Sequence, residues 1–288
     1  MYAAPFDYLA ATSWEEAVRL LQEGGDEAKV IAGGQSLVPM MTLRLATPRL
    51  LVDVGGADRP RISLVDGHLD ISALTRHADL ERSAEVHSSC PILAEAAPFI
   101  GNVRVRHRGT IGGSLAHADP AGELPCAAVA LGATVRTLGP EGERRIAATD
   151  FFDTYFTTAL APAEVVTAVE VPVIAERTGW AFLELLRRAG DFAVVEVAAV
   201  LDLDSAGRCE RVRLAAGGVA ERPVELADAA DALLGERPDE RAAAEAGRRA
   251  AAAVQPGATV HASGDYRREM LGVFVRRAVL AAASRAGR

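Results

Sequence analysis

The sequence predicts an α+β protein built in three successive parts. Three observations predict it: a β-α-β opening, a middle stretch that mixes hairpins with short helices, and a last third whose strands precede Ala/Arg-rich helices. The parts divide at residues 1–56, 57–175 and 176–288. Of the 288 residues, 50% are hydrophobic and 24% charged, a balance that suits a soluble chain able to bury more than one core.

Ser13 followed by Glu16 is a capping-box pattern, and Trp14, Ala17, Val18 and Leu21 carry helical spacing up to Gly24-Gly25. Lys29–Ala32 reads as a short strand running into Gly33-Gly34, Leu37–Leu45 as a helical turn, and Leu50–Val54 as a second strand. Asp66-Gly67, between Arg61–Val65 and His68–Ala73, is a strong hairpin signal. Cys90–Ala97 reads as a short helix with Pro91 in its first turn. Glu123–Leu131 is a helix ended by Gly132, Ala133–Leu138 a strand, and Glu164–Val171 a strand stopped by Pro172. In the last third, Trp180–Leu185, Val194–Leu203 and Arg211–Ala215 suggest a three-stranded antiparallel sheet. Glu225–Leu234, Pro238–Val254 and Gly264–Ala283 follow as helices.

Lys and Arg number 31 against 39 Asp and Glu, a net charge of -8, with no basic tract, so nucleic acid is not an expected partner. No apolar run reaches the roughly 20 residues that span a bilayer. Met1–Pro5 has neither the basic nor the apolar region of a secretory signal, and a cytoplasmic protein is expected. The three cysteines, Cys90, Cys126 and Cys209, lack metal-type spacing, and an iron–sulfur cluster usually needs four thiolates. No metal site is expected, and no Ser/His/Asp or Cys/His catalytic constellation emerges.

Two glycine pairs stand out: Ala32-Gly33-Gly34-Gln35-Ser36-Leu37, and Thr110-Ile111-Gly112-Gly113-Ser114. Gly33-Gly34 opens neither a Gly-x-Gly-x-x-Gly fingerprint nor a Walker loop, and alone it reads as a tight turn. Paired with the second loop it suggests a diphosphate site, with backbone N–H groups, Gln35, Ser36, Thr110 and Ser114 as donors. Asp119 and Glu123, just beyond, are acceptors suited to sugar hydroxyls; a plain turn and a first-turn helix acid are the structural alternatives. Arg104, Arg106 and Arg108 alternate before the second loop and read as a half-exposed strand face.

Ala32–Met41 and Thr110–Pro120 resemble the two FAD-binding signatures of one family, the FAD-carrying medium subunits of molybdenum hydroxylases. That family is typified by the carbon monoxide dehydrogenase flavoprotein and the FAD domain of xanthine dehydrogenase. Arg187-Arg188-Ala189-Gly190-Asp191-Phe192-Ala193 and Val260-His261-Ala262-Ser263-Gly264-Asp265-Tyr266-Arg267 resemble its two later motifs, so the likeness spans essentially the whole chain. The resemblance implies a two-subdomain FAD-binding fold of the vanillyl-alcohol-oxidase (PCMH) type, then a carbon monoxide dehydrogenase flavoprotein C-terminal domain.

It further implies that Ala32, Gly33, Gly34, Gln35, Ser36 and Leu37, with Thr110, Gly112, Gly113 and Ser114, grip the pyrophosphate mostly through main chain. Asp119 and Glu123 would lie toward the adenosine end and Val166 near the isoalloxazine. Phe192 would cover a flavin face, with ordinary core packing as the equal alternative. Many relatives carry a lysine shortly before the Arg pair, where this chain has Glu184, which leaves the flavin potential and acceptor open. The implied activity is electron transfer. An iron–sulfur small subunit would deliver electrons from a molybdenum-cofactor large subunit, and the FAD would hand them to NAD, a quinone or oxygen. A stand-alone FAD-dependent oxidoreductase and a non-catalytic nucleotide-binding module are the competing readings; the first needs a base near the flavin, and none is evident.

Overall fold

The computed structural model describes residues 2–286; Met1, at the head of the segment read for a signal, lies outside them. Strand β1 (Asp7–Ala10), helix α1 (Trp14–Gly24), β2 (Ala28–Ile31), α2 (Leu37–Thr42) and β3 (Leu50–Asp53) form the first part. Its three strands are parallel in the order β1-β3-β2. Ser13 Oγ caps α1 by accepting from Glu16 N at 3.1 Å, but the Glu16 carboxylate accepts from Thr12 N and Oγ1 instead of closing the box on Ser13. Ala17, Val18, Leu20 and Leu21 bury one face of α1 with Val52 and Val54. Strand β1 was not foreseen: it is an edge strand with all four residues exposed, so it carries no alternation to read.

The second part opens with the hairpin β4 (Ile62–Val65) and β5 (His68–Ser72). Asp66 (φ 48) and Gly67 (φ 76) both take the left-handed backbone that a two-residue type I′ turn demands. Six short helices follow: α3 (His77–Arg82), α4 (Ala84–Ser89), α5 (Pro91–Ala96), α6 (Val103–Arg106), α7 (Ile111–His117) and α8 (Glu123–Leu131). Then come β6 (Thr134–Gly139), β7 (Gly142–Ala147), α9 (Ala148–Phe151), the small pair β8 (Phe152–Thr154) and β9 (Thr157–Thr158), and β10 (Val165–Pro172). The antiparallel sheet runs β4-β5-β10-β6-β7, so β10 is central, which is why its sequence is almost continuously apolar. The arginines read as a strand face lie instead in and just after the helical turn α6, which Asn102 caps by accepting from Arg104 N and Val105 N.

The third part holds β11 (Thr178–Leu185), β12 (Val195–Leu203), β13 (Cys209–Gly217) and β14 (Val224–Glu225), followed by α10 (Ala227–Asp231), α11 (Glu240–Ala253) and α12 (Gly264–Ala286). The sheet order is β11-β12-β13-β14. Its fourth strand, absent from the sequence reading, is two residues long, too short to show a period. Helices α12 and α10 lie on one face of this sheet with α11 packed on both of them, and α8 of the second part packs on β12 and β13. Phe182, Ala198, Val200 and Ala215 accordingly join the core of the second part, while Val197, Ala199, Leu201 and Leu214 join that of α11 and α12. Burial on both faces explains the unbroken apolar run of β12. Glu196 is its exception.

Candidate functional site

The first glycine loop leaves β2 and enters α2. Gly34 sits at φ 70, and Gln35 Nε2 donates to Gly33 O at 3.0 Å, folding the loop on itself. The N–H groups of residues 33–37 donate to no protein acceptor among the described residues. Five successive open donors suit an anion.

The second stretch is not a loop. Its glycines lie in the first turn of α7, where Thr110 is the N-cap: its Oγ1 accepts from Gly113 N at 3.1 Å and its carbonyl from Ser114 N at 3.0 Å. Ile111 N donates to Thr75 O and Gly112 N to Ala73 O, each at 3.0 Å. All four of these amides are therefore engaged within the protein, and the main-chain grip expected of Thr110–Ser114 is not available from them. Gly112 has a packing reason instead: a Cβ there would meet Ala73 Cα and O at 2.9 Å. Gly113 is exposed, and the Ser114 hydroxyl is the polar group this stretch has to offer a ligand.

The two stretches meet. A Cβ on Gly33 would strike the Arg108 carbonyl oxygen and come within 2.7 Å of Gly109 Cα. Arg76 donates to that same carbonyl, and Arg76 bridges Thr110 across two antiparallel segments. His77, absent from the sequence reading, packs behind Gly109 and reaches Ser114 Oγ through Nε2 at 2.9 Å. A histidine at the start of a short helix carries no distinctive sequence signal, which is why it was missed.

Around this junction the remaining candidates fall on three sides. Val166 is buried in β10 beside a bulge, and its neighbour Thr167 accepts from Ala73 N at 2.9 Å. Asp119 Oδ1 accepts from Ala121 N at 2.9 Å, the turn that was its structural alternative, and Pro120 O accepts from Gly218 N at 2.8 Å. Phe192 lies on the loop between β11 and β12 and is 75% exposed, which removes core packing as its explanation. That loop approaches α6: a Cβ on Gly190 (φ 81) would come within 3.0 Å of Gly101 O.

Glu123 starts α8 and shares its surroundings with two further carboxylates. Glu184 and Glu196 are directly paired across β11 and β12, and none of their four oxygens has a hydrogen-bond partner among the described residues. Burial, then the charge of Glu123, pushes Glu184 up to about 8. Burial likewise raises Glu123 and, with Glu123 and Glu184 adding to it, Glu196. A lone glutamate in an apolar strand was the available signal for Glu196. Cys90, Cys126 and Cys209 are buried free thiols, and no group of three or more His, Cys, Asp or Glu is placed to hold a metal among the described residues.

Residues 4–174 match the family model for the FAD binding domain in molybdopterin dehydrogenase, and residues 180–282 that for the CO dehydrogenase flavoprotein C-terminal domain. This chain belongs to the FAD-binding medium subunits of the molybdenum hydroxylases. Among the medium subunits and flavoproteins it resembles, subunit alpha of the 6-hydroxypseudooxynicotine dehydrogenase complex of Paenarthrobacter nicotinovorans is 40% identical over 98% of this chain and 95% of that one. A chain of carbon monoxide dehydrogenase from Hydrogenophaga pseudoflava superposes with a TM-score of 0.97 at 38% identity, covering 99% of each chain. A chain of quinoline 2-oxidoreductase from Pseudomonas putida 86 superposes at 0.94 with 37% identity over 100% of both. The medium-subunit fold is thus the PCMH-type FAD-binding domain followed by the flavoprotein C-terminal domain, and its cofactor is FAD. The open donors of residues 33–37, next to a close approach of Gly33 to Arg108 and Gly109 that only glycine allows, fit the diphosphate of that cofactor.

Proposed function

We propose that this medium subunit carries electrons from an iron–sulfur partner subunit, reduced in turn by a molybdenum-cofactor subunit, to an external acceptor: NAD, a quinone or oxygen. The observation that carries the reading is the cradle of unengaged amides at residues 33–37 set against the Arg108-Gly109 junction. In it Ala32, Gly33, Gly34, Gln35, Ser36 and Leu37 hold the diphosphate through main chain, and Ser114 adds its hydroxyl from the α7 side. Thr110, Gly112 and Gly113 act by fixing α7 in place. Asp119 and Glu123 take the sugar end, Val166 backs the ring, and the exposed Phe192 screens it from solvent and acceptor.

Bound there, FAD supplies the ability to accept and release electrons singly or in pairs. The chain supplies binding, orientation and screening. Relatives named for a nicotine derivative, carbon monoxide and quinoline match this chain over nearly their whole length. That supports a shared electron-transfer role, with the hydroxylated substrate chosen elsewhere in the complex.

The test is anaerobic mixing of the flavin-loaded chain with candidate substrates, alone and with its two partner subunits, followed by visible absorption. Bleaching of the flavin only in the presence of the partners is the expected result. Bleaching by an organic substrate with this chain alone would overturn the reading in favour of a stand-alone oxidoreductase.

A further inference from the structure

We propose that His77 is a positioning residue for the FAD diphosphate, donating its Nε2–H to Ser114 Oγ so that the Ser114 hydroxyl proton is free to reach a phosphate oxygen. The inference rests on the diphosphate assignment above and adds a residue that assignment does not contain. His77 is 3% exposed, with its ring against Gly109 and its backbone N–H donating to Gly109 O at 3.2 Å. It therefore sits directly behind the junction where the two glycine stretches meet.

The direction of the His77–Ser114 bond follows from the other side of the ring. Nδ1 is buried and has no hydrogen-bond partner among the described residues. If Nε2 accepted the serine proton, Nδ1 would have to carry a buried N–H with no acceptor. A bare lone pair is the cheaper thing to leave unmatched. The ring is also neutral: burial, opposed by a hydrogen bond to the Thr110 backbone and reinforced by Arg76 and Arg106, pushes its pKa down to about 4, so it holds one proton to place. With that proton on Nε2, Ser114 Oγ is an acceptor toward His77 and a donor away from it. The amides of residues 111–114 are already engaged, so this hydroxyl is the donor that α7 contributes.

The test is the dissociation constant for FAD of the full chain freed of flavin, read by quenching of flavin fluorescence, with thermal unfolding as the control for folding. Ser114→Ala is expected to weaken binding about tenfold, the size of one hydrogen bond to a charged group. His77→Leu is expected to do the same, and the double variant to be no worse than either alone. His77→Gln, whose amide nitrogen reaches the place of Nε2, is expected to restore binding, while the shorter His77→Asn is not. Nitrogen NMR of histidine-labelled protein should show the proton on Nε2 in the loaded chain.

Effects of His77→Leu and Ser114→Ala that multiply would overturn the proposal, as would equal affinities for the Gln and Asn variants. If His77→Leu does not fold, the Gln and Asn pair decides. A wild-type chain that binds no FAD would overturn the loop assignment and this role together.

Discussion

Glu196 is 0% exposed and faces Glu184 across paired strands, with no donor for either carboxylate among the described residues. Two charges cannot persist there, so the folded chain keeps protons that an unfolded chain would release above the ordinary glutamate value of 4.5. The native state then binds more protons than the unfolded one between that value and about 8, and stability falls as pH rises through this window. Thermal unfolding of the wild-type chain should drop between about pH 5 and about pH 8, and Glu196→Gln should flatten the slope and raise the midpoint at the upper end by several degrees. An unchanged slope would remove the buried carboxylates as its cause. Phe192 is the opposite case. Because its ring is exposed, Phe192→Ala should change the unfolding free energy by less than about 0.5 kcal/mol. It should nevertheless speed reoxidation of the reduced flavin by oxygen, followed by stopped-flow absorption; an unaltered rate would argue against a screening role.

Helix α7 shows what an element adds to its motif. Gly112 is pressed onto Ala73, whereas Gly113 faces outward and its added Cβ would meet only Thr110 Oγ1, at 2.8 Å. Gly112→Ala should cost about 1–3 kcal/mol in urea unfolding, the usual range for forcing a methyl into a packed site. Gly113→Ala should cost less, through a weakened cap. Equal costs would show that the two glycines share one role. The sequence made the existence and order of the elements legible wherever a period or a turn residue was present: α1 behind Ser13, the Asp66-Gly67 hairpin, α8 up to Gly132. It did not disclose β1, whose exposed residues have no period, or β14, which is too short. The glycine pair at 112–113 did not announce a helix, because a glycine that permits close packing and one that bares an amide look alike in a sequence. His77 was illegible for a related reason: its role depends on Ser114, distant in sequence and joined to it only by folding.

Across the whole molecule, the second and third parts share one core, and α1 and β3 of the first part share another with Leu74 and Val165 of the second. The join between α12 and the second part includes Arg285, which donates to both oxygens of Glu95 at 2.6 and 3.0 Å and to Trp180 O at 2.7 Å, its guanidinium 5.4 Å from the Trp180 ring centre. Glu95→Gln should lower stability by about 1 kcal/mol, since the pair is partly solvated. The loss should shrink in an Arg285→Met background, as a double-mutant cycle in urea would show; additive losses would deny the coupling.

The meeting of Gly33 with Arg108 and Gly109 has one more consequence. FAD gripped at that seam, as proposed above, would tie the loop after β2 to the α6–α7 segment of the second part, and so would work as a rivet as well as an electron carrier. Saturation at about a thousandfold over the dissociation constant adds about 4 kcal/mol to whatever breaks the seam. The loaded chain should therefore resist proteases as one body. The stripped chain should be nicked first in the stretch between β3 and β4, and the flavin content of a preparation would be readable from a gel.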